Sequence, residues 1–534
     1  MSAERRKVLE MLSEGKITID EAERLLRALG EPGPTDRHPG TTSGWPQFEG
    51  FFSEMKDVFG DIDHDIRSSF SRAGQAVRVS MPRMKRVFEE AVPDVDQIID
   101  EATSSLPDIG SMLEDVGRNV GMAFKSWSAG VDDTAFPHRC EREVNETYPL
   151  ESGSSLQLEN PRGNITVACW DRDEVGVRLH VRAHAPTETA AHSMAEAVVL
   201  QSERGAGSLK LRPELRDNHT ADDADGRARL DFQLMVPRQA NIAMENQYGD
   251  LKVGSLDGDA KLINRHGPTS AESIAGELSI DQAHGPVSVS NSGSDLKLRS
   301  LHARVEIDGV GGETTVESSH GAVKVASVKG SLTLNANHGS AQISGVGGSL
   351  CASHNHGSLK VKDVVGNLVA RNSQGGIIVE KVGGSATIKN SHGSVRLIDI
   401  GAEATVDGDR GRIGVESASG RVVVRSSRSP IAIADAGGEV LVDNEKGDIV
   451  ITSTTPIEAS CTVSNRRGNV HIHLPEASSL NVNGYVRRGF VETDLPLHVT
   501  ANGEGGQTVT GQLGASSAPM QIDIERGHLS LKSR

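Results

Sequence analysis

Counting forward 18 residues at a time from Tyr248 gives His266, His284, His302, His320, His338, His356, Gln374, His392, Arg410, Arg428 and Lys446. Ten of these twelve residues are followed by glycine, the exceptions being Ala303 and Ser429. If successive repeats stack as strands, the imidazoles stand about 4.8 Å apart. Three roles suit such a row. It can be a metal ladder, because neutral imidazole binds zinc or copper, with His354 as an added ligand. It can be a pH switch, because protonating neighbours in a row is mutually unfavourable. The plainest role is that His fits the turn and stacks on the next His. Asp and Glu are not periodic at this edge, so a carboxylate-assisted zinc site is not indicated and stacking is the favoured expectation.

Other catalytic signatures are missing from the sequence. There is no G-x-S-x-G, no P-loop GK[ST] and no HExxH. The acids of the repeat, such as Asp257, Asp259, Glu313, Glu317 and Asp363, are scattered over turns and faces and read as solvated charges. Gly309-Val-Gly-Gly and Gly345-Val-Gly-Gly imitate phosphate loops, but they recur as repeat turns and precede no helical pattern. Cys140, Cys169, Cys351 and Cys461 form no CxxC pair, so neither a zinc ribbon nor a disulfide scaffold is expected. We expect no enzyme and no cofactor.

The histidines need a scaffold, and the scaffold is visible as a nine-residue unit. Halfway between the His-Gly turns stands a second column, Gly258, Gly276, Gly312, Gly330, Gly348, Gly366, Gly384, Gly420 and Gly438. Within each unit two apolar residues alternate with polar ones, as in Val323/Val325, Leu332/Leu334, Leu359/Val361 and Ile449/Ile451. A fixed short period held over some 200 residues means a solenoid. The predicted fold class is mainly β: a β-solenoid with coils of about 18 residues, two nine-residue strand-turn units each, preceded by an α-helical N-terminal region. No aromatic residue occurs between 249 and 454, as suits a thin two-strand interior. The regular solenoid is placed at 248–454, where the period then breaks by about three residues. Irregular strand regions at 140–247 and 455–534 would cover its end edges. Within the first of these, 183–228 reads as a helix or loop insertion.

Residues 1–30 carry two apolar stripes, Val8/Leu9/Leu12 and Ala22/Leu25/Leu26/Leu29, separated by Gly15 and a Thr18…Glu21 capping box, which predicts a helical hairpin. A polar linker covers 31–44. The segment 45–136 holds 10 of the 16 aromatics, and Phe48, Phe51, Phe52 and Phe59 lie on one helical face. Leu25, Leu26 and these four phenylalanines are the candidate interaction residues. Asp57, Asp61, Asp63 and Asp65 would repel anionic lipid, which favours packing, self-association or a protein partner over membrane contact.

Composition bounds the rest. The 534 residues include 58 glycines and carry a net charge of −17, which argues against nucleic acid as a partner. The basic N-terminus lacks a following apolar stretch, and no run approaches 18 apolar residues, so the expected location is cytoplasmic or peripheral at the inner membrane face.

Several segments resemble a bacterial adhesin-like β-strand repeat family, a domain of unknown function. They are the Arg162-Gly-Asn-Ile-Thr-Val opening, Tyr248-Gly-Asp-Leu-Lys-Val, the repeated units, Gly468-Asn-Val-His-Ile-His-Leu-Pro and the terminal Arg526-Gly-His-Leu-Ser-Leu. The stretch from Glu10 to Leu26 resembles a SHOCT-like hairpin. The combination is similar to the LiaX/YvlB type of bacterial envelope-stress protein. The resemblance implies a non-enzymatic role in envelope stress. The expected partner is a protein, with a membrane-associated stress regulator as one candidate. The expected function is therefore a binding or scaffold protein. The rivals are a surface adhesin exported without a visible signal and a polysaccharide-active solenoid enzyme.

Overall fold

A computed structural model describes residues 136–216, 227–502, 505–515 and 518–534. The hairpin, the linker and nearly all of the aromatic-rich segment, with Leu25, Leu26, Phe48, Phe51, Phe52 and Phe59, lie outside the described residues.

The described chain is a β-solenoid of about 13 turns with coils of about 18 residues. Each regular coil contributes a six-residue strand to one sheet and a seven-residue strand to the other, for example Val323–Val328 and Leu332–His338. Successive strands in each sheet pair in parallel at an offset of 18, as in Leu332↔Leu350 and Val323↔Ala341. The offset rises to 21 between Val440 and Cys461 and between Ile449 and Val470, so the period break is a three-residue insertion that both sheets absorb.

The two strands bury their apolar residues differently. In Leu332–His338 plain alternation turns Leu332, Leu334 and Ala336 inward. In Val323–Val328 the buried residues are Val323, Val325 and Val328, so the alternation slips by one before the corner. The slip is made by Ser327, whose φ is +57°. The equivalent residue is left-handed in every coil from Ser255 to Asp435, and Ser, Asn, Asp and Gly fill all but one of these positions. Lys381 is the exception, at φ +58°.

Chain order and spatial order part at both ends. The strand Pro519–Arg526 lies between Cys461–Arg467 and Leu480–Val486, parallel to both. At the other end, Ser155–Asn160 lies between Ser208–Leu215 and Asn241–Tyr248. A coil from each end of the described chain is thus tucked one place inward. Beyond the tucked coils the sheets continue with antiparallel strands, Glu174–Ala185 on His138–Pro149 and Leu480–Val486 on Gly506–Leu513.

The stretch read as a helix or loop insertion is corrected in part. Glu188–Ala197 is a helix capped by Thr187, but Val198–Gly205 and Ser208–Leu215 form a hairpin, and the second strand joins the solenoid sheet. Leu209 and Leu211 face the core there, an alternation too short to stand out among the surrounding polar residues.

Candidate functional site: one edge of the solenoid

The His-Gly turn joins the seven-residue strand of one sheet to the six-residue strand of the other. The glycine is required by geometry. At Gly339 φ is +124°, and a Cβ there would lie 2.0 Å from the carbonyl oxygen of Gly321 in the preceding coil. The coils approach so closely because each turn N–H donates across the gap, as Gly339 does to His356 at 3.1 Å.

Inside the turn, two residues before the His column, runs a buried column that is polar except at Ala336 and Gly408: Asn246, Asn264, Gln282, Ser300, Ser318, Ala336, His354, Asn372, Asn390, Gly408, Ser426, Asn444 and Asn465. Its amides hold the turn. Asn390 Nδ2 donates to the carbonyls of Gly375 at 3.1 Å and Gly393 at 3.0 Å, and Asn264 repeats this on Gly249 and Gly267. Turn carbonyls that point inward need donors, and an amide at this position reaches two coils at once. The histidine repeat drew the sequence reading past this column. Its signal was present, as an Asn or a small polar residue two places before most His-Gly turns.

His354 belongs to this inner column. It is 1% exposed, and its Nδ1 lies 3.4 Å from Asn372 Oδ1. Burial, the largest influence, holds its imidazole below the ordinary histidine range. It is therefore on the inner side of the turn and not beside the row of exposed histidines as an extra ligand.

The outer column is a stack. Tyr248 and His266 have ring centroids 4.6 Å apart, and the next five steps, to His284, His302, His320, His338 and His356, measure 4.9, 5.1, 4.7, 4.8 and 4.7 Å. Interplanar angles stay between 3° and 27°. In such a stack the rings meet face to face, whereas nitrogen lone pairs lie in the ring planes and point sideways. Among the described residues, no group of three or more His, Cys, Asp or Glu is arranged to hold a metal ion. Burial, then His284, then Arg265 holds the His266 imidazole low.

The opposite turns use acids structurally. Asp259 Oδ1 accepts from the N–H of Glu277 at 2.8 Å, and Asp295 Oδ1 accepts from Glu313 at 2.8 Å. Glu317 is 3% exposed and ion-paired with Arg299 at 3.0 Å. Glu317, buried and paired, is thus part of the coil-to-coil framework, which corrects its reading as a solvated charge, while Asp259 stays exposed as it holds the next coil. Three of the thiols are poor nucleophiles: burial pushes Cys169 up to about 11 and Cys461 up to about 12, and raises Cys351 as well.

Residues 3–33 match a family model described as a SHOCT-like domain, and residues 350–532 match one described as Toastrack DUF4097. No curated protein matches it. Among solved structures it is similar to a "putative cell adhesion protein" from Clostridium sporogenes, at 9% identity over 74% of this chain and 100% of that one, with a TM-score of 0.12. A "putative adhesin" from Bacteroides fragilis matches at 10% identity over 62% and 97%, with a TM-score of 0.13. A "putative lipid binding protein" from Parabacteroides distasonis matches at 10% identity over 63% and 97%, with a TM-score of 0.15. Likeness at this level bears on neither activity nor partner.

Proposed function

We propose that the protein is a non-enzymatic binding scaffold of the bacterial envelope-stress response, acting in the cytoplasm or at the inner membrane face. The observation that carries the scaffold reading is the exposed single-file column of side chains along one edge of a solenoid of about 13 turns. Its backbone turns are anchored by coil-to-coil N–H···O bonds and, at coils such as those of Asn264, Asn390 and Asn444, by an inner amide, so the outer side chains are spared that task and present an evenly spaced surface.

In this reading the SHOCT-like hairpin and the aromatic-rich segment recruit a protein partner through Leu25, Leu26, Phe48, Phe51, Phe52 and Phe59, and the regulator of envelope stress is membrane-associated. Crosslinking followed by affinity capture of the full chain and of a Leu25→Asp/Leu26→Asp/Phe51→Asp/Phe52→Asp variant tests this. Loss of a protein from the captured set supports recruitment. Equal sets refute it.

A further inference from the structure

The column of histidines does not end at His392. Gly393 N–H donates to the Arg410 carbonyl at 2.8 Å, which sets Arg410 one coil beyond His392. Arg410 pairs with Arg428, and the pairing of Ser426 with Asn444 brings Lys446 next. Gly447 then donates to Arg467 at 2.9 Å, Gly468 to Arg526 at 3.0 Å and Gly527 to Arg488 at 3.1 Å. The spatial order along the edge is thus Arg410, Arg428, Lys446, Arg467, Arg526, Arg488. Arg526 enters through the tucked terminal coil, so no fixed period reveals it, whereas Arg488 stands 21 residues past Arg467 as Arg467 stands 21 past Lys446.

All six are exposed. Their backbones follow one another at strand spacing, so the row extends about 24 Å. Arg410 lies 3.8 Å from Asp409; among the described residues no ion pair engages the other five. Six like charges in file repel one another, and a chain with net charge −17 had acids to spare for neutralising them. The same turn position accepts Tyr, His and Gln elsewhere, so the turn does not demand cations here.

We propose that this row is a binding ridge for a linear phosphate-bearing polyanion that lies lengthwise along the edge. The flanks decide between this and a flat anionic surface. Asp409, Glu445 and Glu525 directly precede three of the six, and Asp448 follows Lys446 by two. A bilayer wide enough to cover the ridge would meet these acids, whereas a single chain touches only the crest. Arginine offers paired donors to phosphate oxygens. No aromatic side chain stands in the row itself; the exposed Phe490, set on His528, lies two residues past Arg488 at one end only, so bases could stack there but not along the ridge, which favours a polymer read through its phosphates. The inference goes beyond the scaffold reading and does not depend on N-terminal recruitment, so unchanged capture results would leave it standing.

The test uses the full chain and fluorescently end-labelled inorganic polyphosphate, followed by anisotropy at low and at physiological salt. Binding that weakens steeply with salt is expected. The variant Arg428→Glu/Lys446→Glu/Arg467→Glu should bind at least tenfold more weakly. Lys252→Glu/Lys360→Glu/Lys362→Glu, the same charge change on other faces, should bind within about twofold of the parent. Circular dichroism on both variants checks that the fold is retained. No binding at low salt, or equal weakening by both triple variants, overturns the proposal. Tighter binding of single-stranded DNA than of polyphosphate at equal phosphate, or binding only to vesicles of anionic phospholipid, overturns it in favour of those partners.

Discussion

The two halves of one edge have the same backbone and opposite contents. From His266 to His356 the turn presents stacked neutral-capable rings, and from Arg410 to Arg488 it presents obligate cations. Both halves keep the same strand pairing, and glycine follows the outer residue except at Ala303 and Ser429; the inner column supplies Asn264 in one half and Asn444 in the other but no polar side chain at Ala336 or Gly408. The turn is therefore built by coil-to-coil backbone pairing and, at most coils, glycine, with an inner amide added where one is present, and its outer residue is left open to choice. A histidine there is not explained by the needs of the turn, because arginine, lysine, glutamine and tyrosine occupy equivalent places.

The contrast between inner and outer residues is sharpest at one coil. Replacing Gly339 by alanine should cost about 3 kcal/mol or more, since the new Cβ would press on the Gly321 carbonyl at a φ of +124°. Replacing its neighbour His338 by alanine should cost under about 1 kcal/mol, the worth of an exposed ring contact. Chemical denaturation of both variants gives the comparison. Similar losses would show that the outer ring holds the turn after all.

A smaller effect is expected from the inner column. Asn390→Ala removes two hydrogen bonds and leaves two carbonyls without the amide donor they share, a loss of about 1–3 kcal/mol. A loss near zero would mean that water replaces the amide and that the column is not what anchors the turn.

These differences also show what could be read from the chain. Period, coil length, the three-residue insertion and the glycine turns are local patterns, and they were legible because the chain repeats them in order. The left-handed corner residue was equally periodic, as Ser327, Asp363 and Asp399 illustrate, yet it hides among ordinary polar residues. The tucking of Pro519–Arg526 was not legible. It pairs Cys461 with Met520 across 59 residues, and nothing in either strand specifies that partner over the next in sequence. That one rearrangement inserted Arg526 between Arg467 and Arg488, so the cationic half of the site was only partly written in the regular count.

The pH response comes from the histidines that burial holds low, His266 on the outer column and four others off it. Burial holds His354, His471, His473 and His528 below the ordinary value, so the unfolded chain takes up protons before the folded one does. Their stabilising contribution is full above the unfolded value near 6.5 and is lost as pH falls through the lower folded values. Each contributes a slope of at most about 1.4 kcal/mol per pH unit in that window. Glu245 and Asp281 act the other way, because burial raises their carboxyls and favours the folded state as they protonate at lower pH. Thermal melts between pH 7.5 and 5.5 should show falling midpoints. His354→Asn, which matches Asn372 and Asn390 in the same column, should flatten the fall. An unchanged slope would exclude His354 as a contributor.

The smallest effect is the most telling for the outer stack. His302→Arg puts into the neutral half what the other half already holds at Arg410 and Arg428. If the outer residue is free of structural duty, the substitution forfeits two ring contacts of 4.7 and 5.1 Å and gains a solvated charge, changing stability by under about 0.5 kcal/mol at pH 7.5. The same variant bears on metal binding. Face-to-face rings predict no zinc-dependent heat at micromolar metal in calorimetry on the full chain. Micromolar heat that His302→Arg abolishes would show that the rings turn out of the stack to ligate, and that the neutral half has a chemistry its backbone does not display.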